Sequence, residues 1–222
     1  MRAGFVVMVL AGSASAETRG TLRLGVLPLD LESSSDTPLF GEQVDRAVTG
    51  YNAAAAAFDR RNGGTTARID AGDLGVAETL AMITPGLETG VGHYLFRIEA
   101  PIGLGSDLRS FGLGIYPIGV QARVRRDVDL YASAGGTASW LDRPGAGDVG
   151  GLLTLRVAIG ARFANRVVVE LGYSAFALGG TVNNERLEQM MLGDAMELPA
   201  PNAVISAGES RGLFDVSVGL TF

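Results

Sequence analysis

"GLLTLRVAIGARFANRVVVELGYSAFAL", residues 151–178, decides the fold. Leu153, Leu155, Val157, Ile159, Ala161 and Phe163 alternate with Thr154, Arg156, Ala158, Gly160 and Arg162. After Ala164-Asn165-Arg166 the alternation resumes, with Val167, Val169, Leu171, Tyr173 and Ala175 set against Val168, Glu170, Gly172, Ser174 and Phe176. A period of two belongs to a β-strand, whose successive side chains point to opposite faces. A three-residue loop at 164–166 sets Phe163 opposite Val167 with both on the apolar face, so the stretch reads as a hairpin. Its strand charges, Arg156, Arg162 and Glu170, all lie on the face opposite the apolar row.

The same pattern runs along most of the chain. In "GLFDVSVGLTF" (212–222), Phe214, Val216, Val218, Leu220 and Phe222 share one face, and Asp215 lies on the other. "DVDLYASAGGTASWL" (127–141) places Val128, Leu130, Ala132, Ala134, Ala138 and Trp140 against Asp129, Tyr131 and Ser133. "SFGLGIYPIGVQARV" (110–124) is apolar at Phe111, Leu113 and Ile115, then shifts phase after Pro117 to Ile118, Val120, Ala122 and Val124. A phase slip at a proline predicts a β-bulge. "HYLFRIEAPIG" (93–103) sets Tyr94, Phe96 and Ile98 against Arg97 and Glu99, and "TLRLGVLPL" (21–29) sets Leu22, Leu24 and Val26 against Arg23. "VAETLAMITPGLET" (76–89) reads as a strand whose phase stays open.

Eight strands result, at about 19–28, 76–89, 93–103, 110–124, 128–140, 151–163, 167–179 and 211–222. The connectors 90–92, 125–127 and 164–166 are very short, whereas 29–75 and 180–210 are long. Short turns at one end and long loops at the other predict an all-β, eight-stranded antiparallel up-and-down transmembrane β-barrel with short periplasmic turns and long outer loops. The aromatic residues fit interfacial girdles: Tyr94, Phe163 and Phe222 near the short turns, Phe111 and Trp140 near the long loops. A soluble sandwich or lipocalin would reverse the faces, with polar residues outside.

The bulk numbers agree. Of 222 residues, 47% are hydrophobic and only 19% charged, below the roughly 25% of soluble domains. A net charge of −6 argues against nucleic-acid binding, which needs a basic surface. With no Cys, disulfides, thiolate metal sites and cysteine nucleophiles are excluded. Arg2, the apolar run "GFVVMVLAG" (4–12) and Ala14-Ser15-Ala16 read as a signal peptide over residues 1–16, leaving a barrel domain over 17–222.

The A-x-A leader, the eight alternating strands and the terminal "VGLTF" resemble small eight-stranded outer-membrane β-barrel proteins of Gram-negative bacteria, the OmpA/OmpX-like group. The resemblance covers nearly the whole mature chain and rests on pattern. It implies residence in the outer membrane among its lipids. It also implies that Phe214, Val216, Val218, Leu220 and Phe222 are similar to the signal read by the barrel-assembly machinery. The chain departs from the group in its first long loop and in lacking lysine, and no peptidoglycan-binding domain is expected after the last strand.

Eight strands enclose an interior that side chains can fill. The expected fillers are Arg23, Arg97, Glu99, Gln121, Arg123, Asp129, Tyr131, Arg156, Arg162, Glu170 and Asp215, forming a polar network. Arg123 is expected to pair with Asp129 across the 125–127 turn, and Arg162 with Glu170 diagonally. Helical spacing predicts amphipathic helices over 39–61, with Phe40, Val44, Val48, Tyr51, Ala55 and Phe58 on one face, and over 183–198, with Met190, Met191 and Met196. Either could cap the barrel or meet a surface partner. The lone histidine, His93, has no acid–nucleophile pattern around it, and Asp70 with Asp73 is a faint metal signal. The expectation is a structural or surface-interaction role, with no cofactor, metal or catalytic residue. A narrow channel and a lipid A-modifying enzyme are the alternatives.

Overall fold

The computed structural model describes residues 16–143, 148–192 and 198–222. The expected leader, apart from Ala16, and Met196 lie outside the described residues. The strands are β1 (Glu17–Leu31), β2 (Val76–Val91), β3 (Tyr94–Glu99), β4 (Ile102–Leu104), β5 (Arg109–Arg125), β6 (Val128–Arg143), β7 (Asp148–Phe163), β8 (Val167–Val182), β9 (Ile205–Ser210) and β10 (Leu213–Thr221). Two helices, α1 (Gly41–Asn62) and α2 (Asn184–Leu192), lie in the long connections.

All pairings are antiparallel, and they close into a ring of eight hydrogen-bonded positions. β3 and β4 share one position between β2 and β5, and β9 and β10 share another beside β8. Pairs can be followed round from Thr21 through Gly86, Glu99, Gly114, Thr137, Thr154, Ala177 and Ser210. The circuit returns to β1 next to Glu32, which bridges Glu209, about ten residues beyond its start. Eight strands with that stagger, at about 3.3 Å per residue and 4.8 Å between strands, incline at roughly 40° to the ring axis.

The bulge expected at Pro117 is present, as a register shift between Ile115 and Ile118 against β6. The 164–166 turn pairs Phe163 with Val167, and Ala164 and Asn165 adopt φ of 49° and 55°. The phase left open over β2 resolves with Glu88 inside the ring and Leu87 outside. Leu80 and Met82 share the inner face with Glu88, so both faces carry apolar residues and alternation could not choose between them.

The last long loop is shorter than expected. Residues 205–210 form β9, which continues the line of β10 upstream across Arg211-Gly212. Ile205, Ser206, Ala207 and Gly208 are all buried, so this strand has no polar face to produce an alternating pattern. Its cover is helical. Val44, Ala47, Tyr51 and Ala55 of α1 pack with Leu187 and Met190 of α2 and with Leu74, Val204, Ile205 and Ala207. Residues three and four apart share a helix face, which is how α1 presents this stripe. Gly63, at φ 69°, ends α1 by donating its N–H to the Asp59 carbonyl, a left-handed cap that suits glycine. α2 takes up Asn184–Leu192 of the 183–198 reading, and residues 193–197 lie outside the described residues.

Candidate functional site

The ring interior has two layers of different chemistry. Toward the helices it is apolar: Leu29, Leu31, Val76, Leu80, Leu108, Leu141, Leu152, Ala177 and Leu213 form one buried cluster. Toward the short turns it is charged, because there the inward positions of consecutive strands hold Arg23, Glu88, Arg97, Glu99, Asp129, Arg156, Arg162, Glu170 and Asp215. Arg23, Arg97 and Arg162 are among the most completely buried side chains in the protein.

Glu170 of β8 is the hub. It meets Arg23 of β1 at 2.5 Å, Arg97 of β3 at 2.8 Å and Arg156 of β7 at 2.9 Å, and the Tyr131 hydroxyl donates to it at 2.7 Å. Glu99 takes a second contact from both Arg23 and Arg97. Arg156 reaches on to Asp215 through two nitrogens, at 2.7 and 2.5 Å, in the bidentate geometry that guanidinium favours. Arg97 also donates to Ser133 Oγ at 2.7 Å and lies between the rings of Tyr116 and Tyr131, 5.1 and 5.3 Å from their centres. That spacing lets both ring faces stabilise the cation. Gly160 makes room for the stack, since a Cβ there would collide with the Tyr131 ring.

Arg162 does not pair with Glu170. Gly160, not Arg162, lies directly opposite Glu170, and Arg162 turns to Glu88 of β2 and, at 3.8 Å, to Asp129. Arg123 and Asp129 do pair, at 3.0 Å, but Arg123 is 60% exposed, so this bridge lies at the edge of the network. Gln121 is half-buried beside the same opening, its amide donating to the Gly92 carbonyl at 3.2 Å.

Glu88 and Tyr116 are network members that sequence reasoning did not single out. A usable signal existed for Glu88: Glu78 and Glu88 share the even-numbered face of β2, and the odd-numbered face carries no charge. Tyr116 sits immediately before the Pro117 slip, where period two fails as a guide.

The outer side of the ring is apolar on every strand but the helix-covered β9, with Leu24 59%, Ile118 71%, Ile159 56% and Val218 52% exposed. Tyr94, Phe96, Phe111, Trp140, Phe163, Phe214 and Phe222 are exposed on it as well. Phe111 and Trp140 stack at 6.4 Å, and Phe214 tilts against Tyr173 at 4.9 Å. Val216, Leu220 and Phe222 are likewise exposed, and Phe222 exchanges two backbone hydrogen bonds with Gly20.

Other candidates have local roles. His93 Nδ1 lies 3.3 Å from the Gln121 carbonyl at the turn end. Asp73 accepts the Asp70 N–H and Asp70 accepts the Gly72 N–H, so both carboxylates brace a short turn. Among the described residues no group of three or more His, Cys, Asp or Glu is placed to hold a metal ion. On α1, Asp59 accepts hydrogen bonds from the Thr66 hydroxyl and N–H and from Arg68, and the Thr66 hydroxyl foremost holds its carboxyl below the usual range.

No protein-family model matches the chain, and no curated protein matches it significantly in sequence. No helix among the described residues is long and apolar enough to cross a membrane, which says nothing of strands.

Proposed function

We propose that the chain is an integral β-barrel of the outer membrane of a Gram-negative bacterium, exported behind a cleaved leader, with a structural or surface-interaction role. The observation that carries this reading is the inversion of the faces. The ring buries a cluster of arginines and carboxylates and exposes a row of apolar side chains on each of its strands except β9, which the helices cover. Soluble monomers rarely expose apolar patches beyond a few hundred Å², whereas lipid makes such a surface favourable and a closed ring leaves no backbone edge unpaired.

The dimensions support it. From Phe214 to Phe222 the exposed row spans eight residue steps, about 26 Å of strand, and a tilt of about 40° reduces this to roughly 20 Å of height. An outer-membrane apolar band is about 25 Å tall. In this reading the short turns face the periplasm, the helices cap the outer mouth, and the last strand is the segment offered to the assembly machinery. The helical cap is the surface offered to any partner outside. Stacked ion-pair and leucine layers across the interior favour a sealed barrel over a narrow channel.

Heat-modifiable mobility, with quenching of Trp140 fluorescence by brominated lipid, tests the reading. Refolded in phospholipid vesicles, unheated protein should migrate differently from boiled protein, and Trp140 should be quenched near the bilayer interface. Identical mobility and no quenching would overturn it.

A further inference from the structure

The outer face of the ring is not uniform. Across β5, β6, β7 and β8 a trough of about 580 Å³ opens where Ala122 and Ala132 stand between the larger Leu130, Ile159 and Leu171. Its volume falls within the range of small-molecule pockets, about 300–1,000 Å³. Its lining residues Ala122, Leu130 and Val169 lie three positions from the turns at 125–127 and 164–166, which are tied together by a hydrogen bond of 2.7 Å from the Ala164 N–H to the Asp127 carbonyl.

Those turns carry Arg125, Arg126 and Arg166, all exposed. A register shift between Arg123 and Arg125 sets Arg125 opposite Val128, and Val128 is opposite Phe163. Directly opposed residues project to the same face, so Arg125 joins the outer apolar face instead of following Arg123 toward the interior. Among the described residues none of these three guanidiniums forms a salt bridge, in contrast to Arg23, Arg97, Arg156 and Arg162. Asp127 is the one acidic residue within these turns. Arg125 lies three residues beyond Ala122, about 10 Å along the strand.

We infer that this face binds one anionic glycerophospholipid, with an acyl chain in the trough and the phosphate held by Arg125, Arg126 and Arg166. The inference rests on the membrane reading above and adds to it a specific lipid class, leaflet and position. Charge complementarity selects the occupant. An apolar groove about 10 Å along the strand from a set of unpaired guanidiniums matches a lipid whose headgroup has net negative charge, and it leaves a zwitterionic lipid with an unmatched ammonium.

The test is native mass spectrometry of the full chain released from vesicles of equal phosphatidylglycerol and phosphatidylcholine. The wild type should retain one phosphatidylglycerol in preference to phosphatidylcholine. A triple variant, R125Q/R126Q/R166Q, should lose that preference, by about fivefold per guanidinium at low salt, while keeping its heat-modifiable mobility. A132L, which fills the trough and leaves the arginines intact, should reduce retention of both lipids. Equal retention of the two lipids by inserted wild type, unchanged preference in the triple variant, or a lipid-free dimer would each overturn the inference alone. Failure of the wild type to insert in any vesicle would instead remove the membrane reading itself.

Discussion

Replacing Glu170 by Gln tests the hub of the interior. The substitution keeps the shape and removes the charge that Arg23, Arg97, Arg156 and the Tyr131 hydroxyl share. Breaking a buried ion pair by deleting one partner costs about 3–5 kcal/mol, because the remaining charge stays desolvated. Arg23 and Arg97 still hold Glu99, and Arg156 still holds Asp215, which places the loss near the lower end, about 3 kcal/mol. Reversible urea unfolding of vesicle-bound protein, followed by Trp140 fluorescence, reads the change. Arg123→Ala is the internal control: its bridge to Asp129 lies at the exposed, solvent-screened edge, so its loss should barely move the unfolding midpoint. Should Glu170→Gln cost no more than Arg123→Ala, the claim that buried ion pairs hold the interior together would be wrong.

Three further outcomes are expected. Ala164→Gly should slow unfolding and stabilise the protein by up to about 1 kcal/mol, since φ of 49° costs an L-residue roughly 1–2 kcal/mol and costs glycine little; a loss of stability would refute this. Deleting Phe222 removes two backbone bonds to Gly20 and an exposed ring, and under the proposed membrane role should impair insertion more than it lowers the unfolding midpoint of protein already folded; unchanged insertion kinetics would count against it. Asp59, whose carboxyl is held low in the folded state, lends the α1–Thr66 junction stability that is full above the unfolded pKa of about 3.9 and lost as pH falls through the folded value. Protection of the Thr66 amide, measured relative to its intrinsic exchange rate at each pH, should therefore hold down to about pH 4 and fall below it, and Asp59→Asn should lower it and remove that pH dependence.

The strands, their faces and the 164–166 hairpin were legible because alternation is local: a pleated strand sorts side chains by parity wherever it lies. Arg23, Arg97, Glu99, Arg156, Glu170 and Asp215 could accordingly be assigned to the interior from their positions alone. The failures occur where parity loses its meaning. β2 has apolar residues on both faces, which concealed Glu88; β9 is buried on both faces and read as loop; Tyr116 adjoins a bulge.

Which arginine meets which carboxylate was beyond the sequence. Adjacent-strand reasoning supplies Arg123 with Asp129, where a tight turn fixes the register, and it misassigned Arg162. Glu170 lies 147 residues from Arg23 and meets it only because the ring closes with a stagger of about ten residues, which brings β1, β3, β7 and β8 to one level. The neighbouring hairpins likewise bring Arg125, Arg126 and Arg166 to adjacent turns beyond a single trough. The sequence alone determined which side chains face inward wherever one face of a strand is polar and the register unbroken, since there it follows from backbone geometry one residue at a time. Only the tertiary structure decided their partners, since that depends on a circumference and a tilt belonging to all eight strands together.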